Sequence, residues 1–456
     1  MELKRTLSLT DSVSLMFSSM VGSGVFFTTG FILNKVENPW LVITCWVLGG
    51  IFAIAGAVTF AYPAVIFPEA GGDYIYLKKA YSPLVAFMSG WASLTVNFSA
   101  SISVLGIAFS KYLQYIFPSL KDLPSFKTHI GPIPMEIGTT QLIGAGLITF
   151  FSVINYFGIK QAVRLQNVFT SIKISGLLIL VIAGFAFGKT DFTPLHTNSF
   201  FPDIFQNVNL LILGIVPVSF SYLGWNMVTY VAGEIKDPRR IIPLSIAIAC
   251  IMVMSLYICI NLLFLVSAPI SELKGQGGIG VIAAKHLFGE GITTIISIFI
   301  CWIILGSMSA MIIGGSRIYY AMANDGLFFH HLADLHPKYA SPYKALIFQC
   351  VYSSILILFN QLEDLLYFIT CAILFLSSLT AFIPFVLKKE YKNTSDYKIP
   401  LYPLPPLLYI IANAVLITIL AYEQPMNAVK GIGITLLAIP VYYLFSHTFK
   451  KPVEGK

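Results

Sequence analysis

Long apolar runs alternate with short polar stretches along the whole chain, and the lengths of those runs set its organisation. Crossing a hydrocarbon layer of ~30 Å takes ~20 helical residues at ~1.5 Å each. Runs of that length fall at 12–33, 39–67, 84–112, 138–157, 165–188 and 207–233. Six more follow, at 241–267, 291–316, 344–361, 364–387, 403–422 and 429–449. The pattern predicts an all-α integral membrane protein with about twelve transmembrane helices. Met1 to Asp11 lead into the first run without a small-residue cleavage site, so that run reads as a span and not as a removable leader.

Composition agrees. Of 456 residues, 57% are hydrophobic and 11% charged, too apolar a balance for the several soluble domains that such a length would otherwise suggest. The net charge of +7 does not point to nucleic acid, because the basic residues sit in the short loops between spans. With an even number of spans both ends share a side, and 19 Lys and Arg fall on that side against 8 on the other. By the excess of positive charge on cytoplasmic loops, both termini are cytoplasmic in a multi-pass protein of the cell membrane. The six cysteines lie inside apolar runs, without CxxC or Cys/His spacing, so no disulfide frame, metal site or cofactor is expected.

Spans one to five and six to ten recur at an offset of about 200 residues. Five is odd, so the second set would sit upside down relative to the first, as two inverted repeats at 1–190 and 205–388, followed by two further helices at 400–456. Both repeats are interrupted at one depth. The first span contains Met20-Val21-Gly22-Ser23-Gly24-Val25-Phe26, and the sixth contains Phe220-Ser221-Tyr222-Leu223-Gly224-Trp225-Asn226, with Pro217 just before it. Glycine costs ~1 kcal/mol in a helix interior, and an opened helix in lipid exposes backbone groups that need partners. A half-helix beginning near Val25 would aim free N–H groups at a carboxylate. Half-helices ending near Met20 and Ser221 would offer carbonyls to an ammonium. Together these ends describe an amino acid.

The same residues carry a family resemblance. The chain resembles the amino acid-polyamine-organocation superfamily, and within it the L-type amino acid transporter group. The likeness rests on Gly22-Ser23-Gly24-Val25-Phe26, Pro68-Glu69-Ala70-Gly71-Gly72-Asp73-Tyr74, Gly224-Trp225-Asn226, Glu234-Ile235-Lys236-Asp237-Pro238, and Gly315-Ser316-Arg317 with Asp325-Gly326. It implies the inverted-repeat fold of the bacterial leucine transporter, with discontinuous first and sixth helices. It also implies substrate backbone contacts at Met20, Val21, Ser23, Gly24, Val25, Phe220, Ser221 and Leu223, with Phe220 as a gate. Tyr257 resembles the family's tyrosine that steadies the first and fifth spans around the break. Ser309 departs from the asparagine that many members carry there. Animal relatives join a glycoprotein through an extracellular cysteine between the third and fourth spans. Residues 113–137 contain none, so no disulfide-linked subunit is expected.

Within the predicted spans one ionisable Asp, Glu, Lys or Arg lies at hydrocarbon depth, Lys173, nine residues or ~13.5 Å in from Arg164. In sodium-driven relatives a cation rests between the first and eighth spans, and the resemblance puts the lysine ammonium there, bonded to carbonyls of the first half-helix and to Ser307. Lys173 would replace sodium and act as a proton-linked switch. With no fixed carboxylate or arginine counted in the spans, a neutral zwitterion suits the site, and the bulk of Leu223 suits a small or medium side chain.

Other motifs are weaker. Gly71-Gly72-Asp73-Tyr74 reads equally as a turn or a gate. Glu234, Asp237, Arg239 and Arg240 read as a solvated interfacial cluster ahead of a latch. His330, His331 and His336 lack ligand-spaced partners. The expected function is sodium-independent, alternating-access transport of small neutral L-amino acids, by exchange or proton-linked, and not an enzyme activity. The alternatives are a cationic amino acid or polyamine carrier and, from another class, a membrane sensor without flux.

Overall fold

A computed structural model describes residues 3–121, 123–130, 133–197, 208–359, 362–387, 397–423 and 425–448. Expected boundaries at 1, 205, 207, 361, 388, 449 and 456 lie outside them. The chain folds as a helical membrane protein. Among the described residues, seven uninterrupted helices are long and apolar enough to cross a bilayer. They are joined by two interrupted ones. The first span runs Leu9–Met20, a tight turn Ser23–Phe26 and Thr28–Leu33. The sixth runs Val208–Ser221 and Met227–Tyr230.

Local chemistry sets many of the helix starts. Ser8 caps the first span, its Oγ accepting from the Asp11 N–H at 3.3 Å while Asp11 accepts from the Ser8 N–H at 2.9 Å. Asn38 caps the second span, Pro39–Ile66, whose first residue is a proline that needs no N–H partner. Ser82 does the same for the third, which runs from Pro83 to Ile116 through a single wide turn at Ser93–Asn97. The fourth and fifth are Thr139–Tyr156 and Ile159–Phe187. The seventh and eighth are Pro238–Ser267 and Thr293–Asn324. The ninth to twelfth are Tyr343–Leu356, Leu362–Leu387, Leu404–Glu423 and Pro425–Thr448.

Three elements depart from the expected pattern. A short antiparallel hairpin, Phe126–Ile130 with Ile133–Ile137, occupies the segment between the third and fourth spans. A helix at Asp73–Ala80 follows the second span, and another at Ile279–Phe288 precedes the eighth. The eighth helix also continues eight residues past the expected end at Ser316.

Packing is reciprocal. The first span lies on the seventh and the sixth on the second, the second lies on the seventh, the third on the eighth, and the fourth on the ninth. The core between them is continuous. The outer faces are apolar instead of polar, as on the fifth span at Ile172, Ile179, Ile182 and Phe187. Such a surface is at equilibrium in lipid, not in water.

Candidate substrate site at the two breaks

The two interrupted helices meet at their breaks. Ser221 and Thr28 join them through a 2.7 Å hydroxyl contact, and the closeness requires glycine. A Cβ on Gly24 would lie 2.9 Å from Ser221 Oγ, and one on Gly224 would lie 2.4 Å from Ser19 Oγ. Gly224 also has φ +100°, a conformation side chains rarely adopt.

Beside the breaks lies a cavity of about 300 Å³. Met20, Ser23, Gly24, Phe220, Ser221, Leu223 and Ser307, all expected at the site, line it. Val21 and Val25 do not; both are fully buried. The cavity follows one face of the third span from Ser89 to Tyr112, past Asn97 in the wide turn. The turn starting at Ser23 presents its first N–H groups without partners inside the helix, as every helix start does. The opposing carbonyls are partly engaged. Tyr257 Oη lies 2.9 Å from Met20 O and 3.1 Å from Ser221 O, and its single hydrogen is shared between them. Ser221 O keeps a lone pair for a ligand, whereas Met20 O also accepts from the Gly22 N–H at 3.0 Å. Tyr257 therefore ties the first span to the sixth, not to the fifth as expected. It is held from behind by Trp46 and Tyr222, with ring centroids 5.1 and 5.0 Å away.

The fifth span is tied to the first by a separate seam. Asn167 Nδ2 donates to Asp11 at 2.7 Å, Thr170 Oγ1 to Ser14 O at 3.1 Å, and Lys173 Nζ to Ser18 O at 3.1 Å. Residues 167, 170 and 173 share one helical face, and they meet 11, 14 and 18 in the same order. Lys173 is fully buried and adds Ser18 Oγ at 3.0 Å, Val21 O at 2.7 Å and Ser307 Oγ at 3.2 Å. Three N–H donors thus face four oxygens, two of them carbonyls at the end of the first half-helix. Ser307 Oγ reaches the same two carbonyls, at 2.9 and 3.1 Å. Ser309 is buried as well.

Two sequence readings are corrected. Glu234 does not belong to a solvated cluster: it is buried against Arg317, with Nε–Oε2 2.9 Å and Nη2–Oε1 3.2 Å. Arg317 escaped the census of buried charges because the eighth helix runs on past Ser316. Asp237, Arg239 and Arg240 are exposed. The second correction is that a carboxylate does face the cavity, that of Asp73. Sequence reasoning missed Ser18 and Thr28 too. Ser12, Ser14, Ser18 and Ser19 along an apolar run were the available signal for the first.

At the end of the bundle that carries the N-terminus, the segment before the first span closes over the sixth. Leu7 pairs with Ile235 as an isolated bridge, and the Thr6 and Leu7 N–H groups donate to Glu234 O. Arg5 donates to Ile235 O and Pro68 O, and Gly71 N–H to Tyr230 O.

A family model described as amino acid permease matches residues 7–445. The large neutral amino acids transporter small subunit 2 of Mus musculus is 26% identical over 454 residues, 99% of this chain and 82% of its own. The serine/threonine exchanger SteT of Bacillus subtilis is 27% identical over 449 residues, 97% of each chain. The Asc-type amino acid transporter 1 of Mus musculus is 24% identical, over 99% of this chain and 83% of its own.

Proposed function

Because this chain belongs to the amino acid permease family, we propose that it exchanges small neutral L-amino acids across the cell membrane, without sodium and by alternating access. One relative is named for large neutral amino acids and another as a serine/threonine exchanger. The carrying observation is Lys173. Its ammonium is bonded to Ser18 O, Ser18 Oγ, Val21 O and Ser307 Oγ, an oxygen cage of the kind a sodium ion would need. A built-in cation removes the requirement for a dissolved one.

In this reading the substrate carboxylate sits on the N–H groups at Ser23 and Gly24. The ammonium takes the remaining lone pair of the Ser221 carbonyl, and the side chain points toward Leu223. Alternating access then moves the first, second, sixth and seventh spans, which pack on one another across the repeats 1–190 and 205–388, against the third, fourth, eighth and ninth, which do the same. Both termini are cytoplasmic. The chain works without a disulfide-linked partner, since residues 113–137 hold no cysteine.

Labelled serine, threonine, alanine and arginine offered to proteoliposomes test this. Serine, threonine or alanine is expected to enter only liposomes preloaded with unlabelled amino acid, equally well in sodium and in choline. Uptake of arginine alone, or strict dependence on sodium, sinks the reading. Tyr257→Phe removes a shared hydrogen bond worth ~1 kcal/mol, so the KM for serine should rise about fivefold with little change in expression. An unchanged KM would take Tyr257 out of the site.

A further inference from the structure

Asp73 is the one acidic side chain on the cavity wall, and amino acid exchange by itself gives it no task. It opens the helix Asp73–Ala80, which the two-glycine turn at Gly71 and Gly72 folds back under the bundle. Its Oδ2 accepts from Tyr230 Oη at 3.4 Å, and Tyr230 Oη accepts from Asn226 Nδ2 at 3.0 Å. The chain therefore runs from Asp73 to the second half of the interrupted sixth span. Oδ1 is buried and makes no hydrogen bond.

No cation neutralises this carboxyl among the described residues. Lys78, on the same helix, pairs with Asp325 at 2.5 Å, Lys79 pairs with Glu69 at 3.7 Å, and Arg317 pairs with Glu234. The groups that act on it electrostatically are phenols: Tyr76 on its own helix, Tyr230 on the sixth span and Tyr409 on the eleventh. The Tyr76 hydroxyl is itself buried without a partner. Burial dominates, outweighs the opposing influence of Tyr230 and Asn226, and pushes the Asp73 carboxyl up to about 7 from its ordinary 3.8.

We propose that Asp73 is a proton-binding site at the cytoplasmic end of the substrate cavity, and that the proton it holds keeps that end shut. The proposal rests on the exchange reading and on its orientation. In the shut arrangement the carboxyl is enclosed with Tyr76 and Tyr230, where the neutral form is favoured, and Tyr230 Oη, 3.4 Å from Oδ2, is the oxygen within reach of a proton on that atom. Opening admits water, which solvates the carboxylate and returns it toward its ordinary range. Shutting therefore takes up a proton. The bias toward the shut form is complete below the ordinary value and falls about tenfold per pH unit until the pH reaches the shut-form value. Above that it is flat.

The test compares wild type with Asp73→Asn, which is neutral at every pH. Efflux of labelled serine is followed from proteoliposomes in which the cytoplasmic side faces inward, with the internal pH stepped from 5 to 8. Wild type should speed up at least tenfold between pH 5 and 7.5 and level off, whereas Asp73→Asn should stay near the acid rate throughout. In parallel, tryptophan fluorescence of the substrate-free protein in nanodiscs is titrated, since Trp225 lines the same cavity. A transition between pH 5 and 7.5 that Asp73→Asn abolishes supports the proposal. An unchanged transition in the variant, or none in wild type, overturns it. If wild type exchanges no amino acid at any pH, the exchange reading fails and the fluorescence comparison decides the proton site alone.

Discussion

Lys173→Ala is expected to lower serine exchange in proteoliposomes at least tenfold while the purified protein still elutes as a folded species. The truncation removes all four oxygen contacts of the ammonium at once. Ser307 has a single hydroxyl hydrogen to give, so either Ser18 O or Val21 O loses a donor in a buried place. A buried polar group left unsatisfied costs ~1–3 kcal/mol. That loss falls on the break itself, whose geometry must be held within a fraction of an ångström for the Ser23 N–H groups to meet a carboxylate. Global folding survives because Asn167 and Thr170 keep the rest of the seam, and because the core packs continuously around it. Full exchange with an unaltered pH profile in Lys173→Ala would remove Lys173 from the mechanism.

Arg317→Ala should act on stability before transport. It leaves Glu234 charged and enclosed, and breaking a buried ion pair from one side costs ~3–5 kcal/mol. Arg317 makes a two-pronged contact with the carboxylate and also donates to Ile313 O and Ser316 Oγ. Lysine, with one point of charge, does not reproduce the fork. The melting midpoint in detergent should therefore fall sharply in Arg317→Ala and in Arg317→Lys. Much of it should return in the double variant Glu234→Gln, Arg317→Met, which has no uncompensated charge. A single variant that melts like wild type would show the pair to be solvated in the working protein.

The spans were legible because each needs a run of apolar residues, and no other structure would use so many. Their ends were not. Hydropathy marks where lipid stops, whereas the helix stops where its hydrogen bonding does, so the fifth span begins at Ile159 and the eighth reaches Asn324. Setting that end at Ser316 hid the pair made by Arg317. The breaks were legible from glycine at matched depths, and Lys173 from its isolation in an apolar run. The partners of Tyr257 were not, because which helix lies across from which is settled by packing between segments far apart in sequence. Asp73 shows the limit most clearly. Between two spans it reads as a loop residue, and only the fold-back of Asp73–Ala80 sets it against the cavity.

The seam between the first and fifth spans has a consequence for how the chain is made. When the first span leaves the ribosome it carries Asp11, the Ser14 and Ser18 carbonyls and an opened turn, with no fifth helix to bond them. Asn167, Thr170 and Lys173 are synthesised some 150 residues later, which at ~5–20 residues per second is a delay of roughly ten to thirty seconds. Until then the first helix is a poor resident of the bilayer. A nascent chain truncated before Ile159 should hold its first helix in the membrane loosely, open to extraction. One extended past Phe187 should hold it firmly, which makes the arrival of the fifth helix the step that commits the first to the membrane.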